Sequence, residues 1–111
     1  MEMRRLTLRE RRLLDAGRMR AFRVEGESMN PTLCDGDAVL VEPRATLGIG
    51  DIVAAEHPYK RVKIIKRVQS IDDNGRLVLK GDNPEESTDS RLFGSIPSSE
   101  ILGKVICRFK A

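Results

Sequence analysis

Beyond residue 20 the apolar positions fall into six short runs of five to eleven residues: Ala21–Glu25, Asp37–Glu42, Asp51–Glu56, Arg61–Ile71, Arg76–Lys80 and Leu102–Phe109. Each is rich in Val, Ile and Leu, the composition of strands packed on a core. Turn signals separate them: Cys34-Asp35-Gly36-Asp37, Gly48-Ile49-Gly50-Asp51, Asp73-Asn74-Gly75 and Gly81-Asp82-Asn83-Pro84. Asp73-Asn74-Gly75 reads as a tight hairpin between two of the runs. Six strands at this spacing predict an all-β domain, a small barrel or sandwich. Before residue 21 the pattern is partly helical. Thr7-Leu8-Arg9-Glu10 fits a capping box, in which the Thr and Glu side chains satisfy free N–H groups at a helix start. Leu8, Leu13 and Leu14 offer a narrow apolar stripe, and Gly17 a stop. The chain thus divides into an arm, residues 1–20, and a β domain, residues 21–111.

Charge sharpens this division. Residues 1–23 hold eight Arg against three acids, a net of +5, whereas the remainder holds 12 basic and 14 acidic residues. The body is mildly acidic, so no nucleic-acid partner is expected. No apolar run approaches the roughly 20 residues of a membrane span, and the Arg-rich N-terminus lacks the apolar stretch of a secretory signal. A cytoplasmic location follows as the expectation. Cys34 and Cys107 are far apart and in no metal-like spacing, which favours two reduced thiols over a disulfide. The single histidine, His57, makes a metal site unexpected and reads as a loop or strand-end residue. No cofactor is expected.

Two segments depart from ordinary β-domain sequence. In Glu25-Gly26-Glu27-Ser28-Met29-Asn30-Pro31-Thr32-Leu33, a strand ends at a glycine and Pro31 suits the first turn of a short helix. Ser28 is then either a structural turn serine or a nucleophile beside free N–H groups able to stabilise an oxyanion. The second segment, Gly81–Gly94, is too polar and elaborate for a simple hairpin; Asp89 and Arg91 are placed to pair, with Phe93 as an apolar anchor. A serine nucleophile needs a base. Lys63 and Lys66 lie three apart in one predicted strand, so they point to opposite faces and only one can be buried among Ile64 and Val68. Burial lowers an amine's pKa from about 10.4 toward neutrality, at about 4–5 kcal/mol of desolvation.

Gly26-Glu27-Ser28-Met29-Asn30-Pro31-Thr32-Leu33, Ile65-Lys66-Arg67-Val68 and Gly81-Asp82-Asn83 through Ser87, Asp89, Ser90, Arg91, Phe93 and Gly94 occur in this order along the chain. In these motifs, over about residues 22–109, the sequence resembles the type I signal peptidases. The resemblance implies a signal-peptidase- or LexA-like β fold and a serine endopeptidase. Ser28 matches the nucleophile and Lys66 the general base, with Lys63 the lesser candidate because no Arg-Val follows it. Ser87 matches the hydroxyl that orients the lysine, Asp89 and Arg91 the pair that braces the site. Gly81, Asp82 and Asn83 open the same supporting segment. Met29 and Pro31 match residues shaping the substrate cleft. Gly26 stands where some members carry an extra oxyanion hydroxyl, so the hole would rest on backbone N–H groups, including that of Ser28.

The motifs Gly-Asp-Asn-Pro and Ser-Thr-Asp-Ser-Arg, with the ending Ile101–Phe109, are similar to a small anchorless branch, the nickel-type superoxide dismutase maturation proteases. That likeness implies, as partner and substrate, a nickel superoxide dismutase precursor with an N-terminal leader, and a protease that itself binds no metal. The basic arm would help to hold the precursor. Two other readings stay open. One is a LexA-like domain that cleaves itself, with Ala16-Gly17 as the bond, only 11 residues before Ser28. The other is a non-catalytic β-barrel binding module.

Overall fold

The computed structural model describes residues 1–85 and 94–110. All six expected strands are present and a seventh joins them: β1 (Met3–Arg5), β2 (Arg20–Arg23), β3 (Ala38–Glu42), β4 (Ile52–Glu56), β5 (Lys63–Ile71), β6 (Leu77–Lys80) and β7 (Ile101–Lys110). One short helix, α1 (Leu8–Asp15), and a 3₁₀ turn at Ser98–Glu100 accompany them. The strands form one sheet in the order β2-β3-β7-β4-β5-β6, all antiparallel, with β1 added in parallel to β7. β3 and β1 both pair with Arg108 and Phe109, so they occupy opposite edges of β7. The all-β expectation is met.

β4 explains why its sequence, Ile-Val-Ala-Ala, shows no polar alternation. Ile52 and Ala54 pack with Val24, Met29, Leu33, Val39 and Val41, while Val53 and Ala55 pack with Val68, Leu77, Leu79 and Ile96. Successive side chains point to opposite faces, so a strand covered on both faces must be apolar throughout. The β5–β6 hairpin forms as expected: Asp72 Oδ1 accepts the N–H groups of Asn74 and Arg76, and Gly75 takes φ +79°.

α1 starts at the expected capping box, with Thr7 and Glu10 exchanging side-chain and backbone hydrogen bonds. It ends in a Schellman motif: Gly17 at φ +74° donates to the Leu14 carbonyl and Arg18 to that of Leu13. Leu13 and Leu14 pack on Met19, Leu40, Cys107 and Phe109. Leu8 does not belong to that stripe and is 63% exposed. At 100° per residue it lies about 120–140° around the helix from both leucines, on the opposite face. Arg4 and Glu10 join β1 to α1 through two hydrogen bonds of 2.7 and 2.8 Å.

The short helix expected after Pro31 is replaced by hydrogen-bonded turns over residues 28–32: Asn30 N–H donates to the Glu27 carbonyl and Leu33 N–H to that of Met29. Both cysteines are free; Cys34 is half-buried, and burial pushes the Cys107 thiol up from its ordinary pKa.

Candidate active site

Ser28 follows the edge strand β2 after four residues. Gly26 supplies the left-handed conformation (φ +82°) that reverses the chain there, and its N–H donates to Asp35 Oδ1 at 2.7 Å. Met29, 1% exposed, and Leu33 plunge into the core beside Val24 and Val41, so the half-buried serine sits on a turn whose neighbours are anchored. Among the described residues, nothing accepts a hydrogen bond from the N–H groups of Ser28 or Met29.

The segment after β6 braces this turn from outside. Asn83 N–H donates to the Ser28 carbonyl at 2.9 Å, and Asn83 Nδ2 to the Glu27 carbonyl at 3.0 Å. Asp82 receives Thr32 Oγ1 at 2.7 Å and Arg67 Nε and Nη2 at 2.8 Å each. Arg67 also reaches the Gly50 carbonyl. These bonds hold the Asp82 carboxyl below the usual range, Arg67 contributing most, and they raise Arg67 in turn. The sequence alone assigns Arg67 and Thr32 no role. Their pairing with Asp82 depends on the tertiary fold, and only their place inside the two motifs hinted at it.

Lys63 and Lys66 take opposite faces of β5. Lys63 has a 47% exposed side chain and lies 3.8 Å from Glu56. Lys66 shares the face of Ile64 and Val68 and is 5% exposed, the one buried charged residue among those described. A cavity of about 680 Å³ separates the chain around Phe22–Met29 from that around Val62–Lys66, with Ala54, His57 and Lys60 completing it. Gly26, Ser28, Met29 and Lys66 therefore converge on one space. Pro31 is exposed and outside the lining, while Ser87, Asp89 and Arg91 lie outside the described residues.

His57 follows β4, as a strand-end residue should. Its Nδ1 accepts the N–H groups of Tyr59 and Lys60, both at 3.1 Å, and its own N–H donates to the Val62 carbonyl. Burial, then the charges of Lys60 and Lys66, push its pKa below the ordinary value. Among the described residues no group of three or more His, Cys, Asp or Glu is placed to hold a metal. No helix there is long and apolar enough to cross a membrane.

A family model described as Peptidase S24-like matches residues 2–106. The mitochondrial inner membrane protease subunit 1 of Homo sapiens is 35% identical over 72% of this chain and 63% of its own length. LexA repressor 1 of Nocardia farcinica is 36% identical over 86% of this chain and 41% of its own. Signal peptidase IB of Staphylococcus aureus is 35% identical over 54% of this chain and 31% of its own. The chain thus spans roughly two thirds of the mitochondrial relative and two fifths of the repressor. Matched over nearly its whole length, the chain belongs to the Peptidase S24-like family.

Proposed function

We propose that this chain is a serine endopeptidase working through a Ser28–Lys66 dyad. The observation that carries this reading is the burial of Lys66 on the wall of the cavity that Ser28 also lines. Burial disfavours an ammonium and favours the neutral amine that a general base must be. Lys66 Nζ takes the proton of Ser28 Oγ as the oxygen attacks the scissile carbonyl carbon. The carbonyl oxygen becomes an oxyanion, for which the N–H groups of Ser28 and Met29 are the available donors. Gly26 N–H is committed to Asp35, so it supports the turn and not the hole. Collapse breaks the C–N bond, and Lys66 returns its proton to the departing amine. A water deprotonated by Lys66 then cleaves the acyl ester and regenerates Ser28.

The cavity favours an extended peptide. β2 is the end strand of the sheet, and β6 pairs with β5 only from Arg67 onward. Among the described residues, two strand edges, one before Ser28 and one at Lys63–Ile65, therefore offer main-chain groups to a substrate strand. For the substrate itself, we propose a leader-bearing nickel superoxide dismutase precursor, processed in the cytoplasm. The likeness of Gly81–Pro84 and of the ending Ile101–Phe109 to that protease branch supports it. Ser87 as lysine-orienting hydroxyl and Asp89–Arg91 as bracing pair belong to the same proposal.

Self-cleavage in the LexA manner is the second reading, favoured by the repressors among the relatives. Against it, Ala16 caps α1 and Gly17 sits before the start of β2, whereas Ser28 lies beyond its end. Neither residue lines the cavity. The deciding experiment incubates the protein with the precursor and follows leader release by mass spectrometry, alongside Ser28→Ala and Lys66→Ala. Cleavage by the wild type alone supports dyad and substrate together. No cleavage of the precursor by folded wild type removes that substrate. A fragment of the protein itself ending at Ala16 would establish self-processing instead.

A further inference from the structure

A second hollow of about 580 Å³ opens beside the Ser28 cavity and shares His57, Lys60 and Lys63 with it. Its wall is the turn between β4 and β5, where Tyr59 is 76% exposed. Lys60 and Arg61 are exposed there, and no carboxylate among the described residues lies within ion-pair distance of either. Two carboxylates also line the hollow, Glu56, 3.8 Å from Lys63, and Glu100, which forms no ion pair with Lys60 or Arg61. The cations Lys60, Arg61 and Lys63 still outnumber those carboxylates, whereas the chain beyond residue 23 is net acidic. The turn is also built to hold its shape: the two N–H groups donated to His57 Nδ1 and the bond from His57 N–H to Val62 fix the backbone carrying the cations. Cations on a fixed backbone lose less freedom when they bind an anion.

We propose that residues 57–63 form a cationic subsite continuous with the active-site cavity, selecting peptides that carry acidic residues beside the scissile bond. This rests on the peptidase reading above and adds the class of substrate. Lys60 and Arg61 meet the substrate carboxylates, Tyr59 and the exposed Val62 cover adjoining apolar surface, and His57 is a positioning residue for the turn.

The test uses three labelled peptides that differ only in an Asp-Asp, Ala-Ala or Lys-Lys pair flanking the cleavage site, with wild type and Lys60→Glu/Arg61→Glu. Wild type should favour the acidic peptide about fivefold over the neutral one in kcat/KM, expressed in KM. The double variant should favour the Lys-Lys peptide, and about 0.5 M salt should flatten both preferences. Equal turnover of the three peptides overturns the subsite and leaves the peptidase standing. If no peptide is cut, binding to Ser28→Ala is read by fluorescence anisotropy. Tighter binding of the acidic peptide, lost on adding the double charge reversal, would sustain the subsite while the peptidase reading fails. Indistinguishable binding curves would overturn the subsite as well.

Discussion

Arg67 and Asp82 meet side-on, Nε on one carboxylate oxygen and Nη2 on the other, both at 2.8 Å. One partner is next to Lys66 in β5; the other precedes Asn83, which holds the Ser28 carbonyl. Lys66 and Ser28 therefore share a brace. Asp82→Ala should lower kcat while costing about 1–2 kcal/mol of stability, discounted for the partly exposed guanidinium. Arg67→Lys should recover the charge but not the two-point geometry, and so little of the activity. Because the folded-state pKa of Asp82 is depressed, its contribution is complete above the ordinary carboxylate value and disappears as pH falls through the folded value. Urea midpoints of wild type and Asp82→Ala should thus differ at pH 7 and converge in acid.

Lys66 separates a catalytic role from a structural one. Lys66→Arg keeps a cation that does not surrender its proton, and Lys66→Met keeps the length of the stem without the amine. Both should lose about a thousandfold or more in kcat/KM, as should Ser28→Ala. Lys66→Met should nevertheless keep the far-UV circular dichroism of wild type and a cooperative urea transition, so that the lost activity is not lost structure. A variant of normal activity at either position would refute the dyad.

Far from the cavity, Glu10 gives an acid signature of its own. The hydrogen bonds from Arg4, assisted by the Thr7 backbone, bring its pKa from 4.5 down to about 2. Its stabilisation is therefore complete above pH 4.5 and fades as the pH falls toward 2. The Tm difference between wild type and Glu10→Gln should shrink across that interval and stay constant above it.

His57 gives a local titration. Its lowered pKa means that the neutral ring is favoured in the folded turn, so the turn keeps this support above the ordinary histidine value and loses it as pH falls through the folded one. Protonating Nδ1 removes the acceptor for Tyr59 and Lys60. The amide resonances of those two residues should move together with the ring signals, at a midpoint below 6.5. A midpoint above that value would show that burial does not govern the ring.

Five of the six expected strands were legible because each buries Val, Ile or Leu between turn residues, while β2 has only the half-buried Phe22; all six lie within two residues of the expected limits. β1 was not: Met3-Arg4-Arg5 has neither alternation nor β-branched residues, and its partner Arg108–Lys110 lies at the other end of the sequence. The turn at Ser28 shows a similar limit. Pro31 fits a helix start by local preference, yet the burial of Met29 and Leu33 and the bonds to Asn83 set turns there instead. Lys66 was separable from Lys63 by its neighbours, whereas the Arg67–Asp82–Thr32 junction joins three stretches that only the assembled sheet brings together.

The brace also fixes when in folding a working site can exist. Thr32 and Asp82 are 50 residues apart, Glu27 and Asn83 are 56 apart, and these links close the largest loops that bear on the serine. Contacts of such separation are slow to form, after local hairpins such as β5–β6. A chain that has made its hairpins but not docked residues 82 and 83 carries Ser28 without its frame. On the proposed function, peptide-bond cleavage is in this sense the last property the molecule acquires, and its onset during refolding would report completion of the topology.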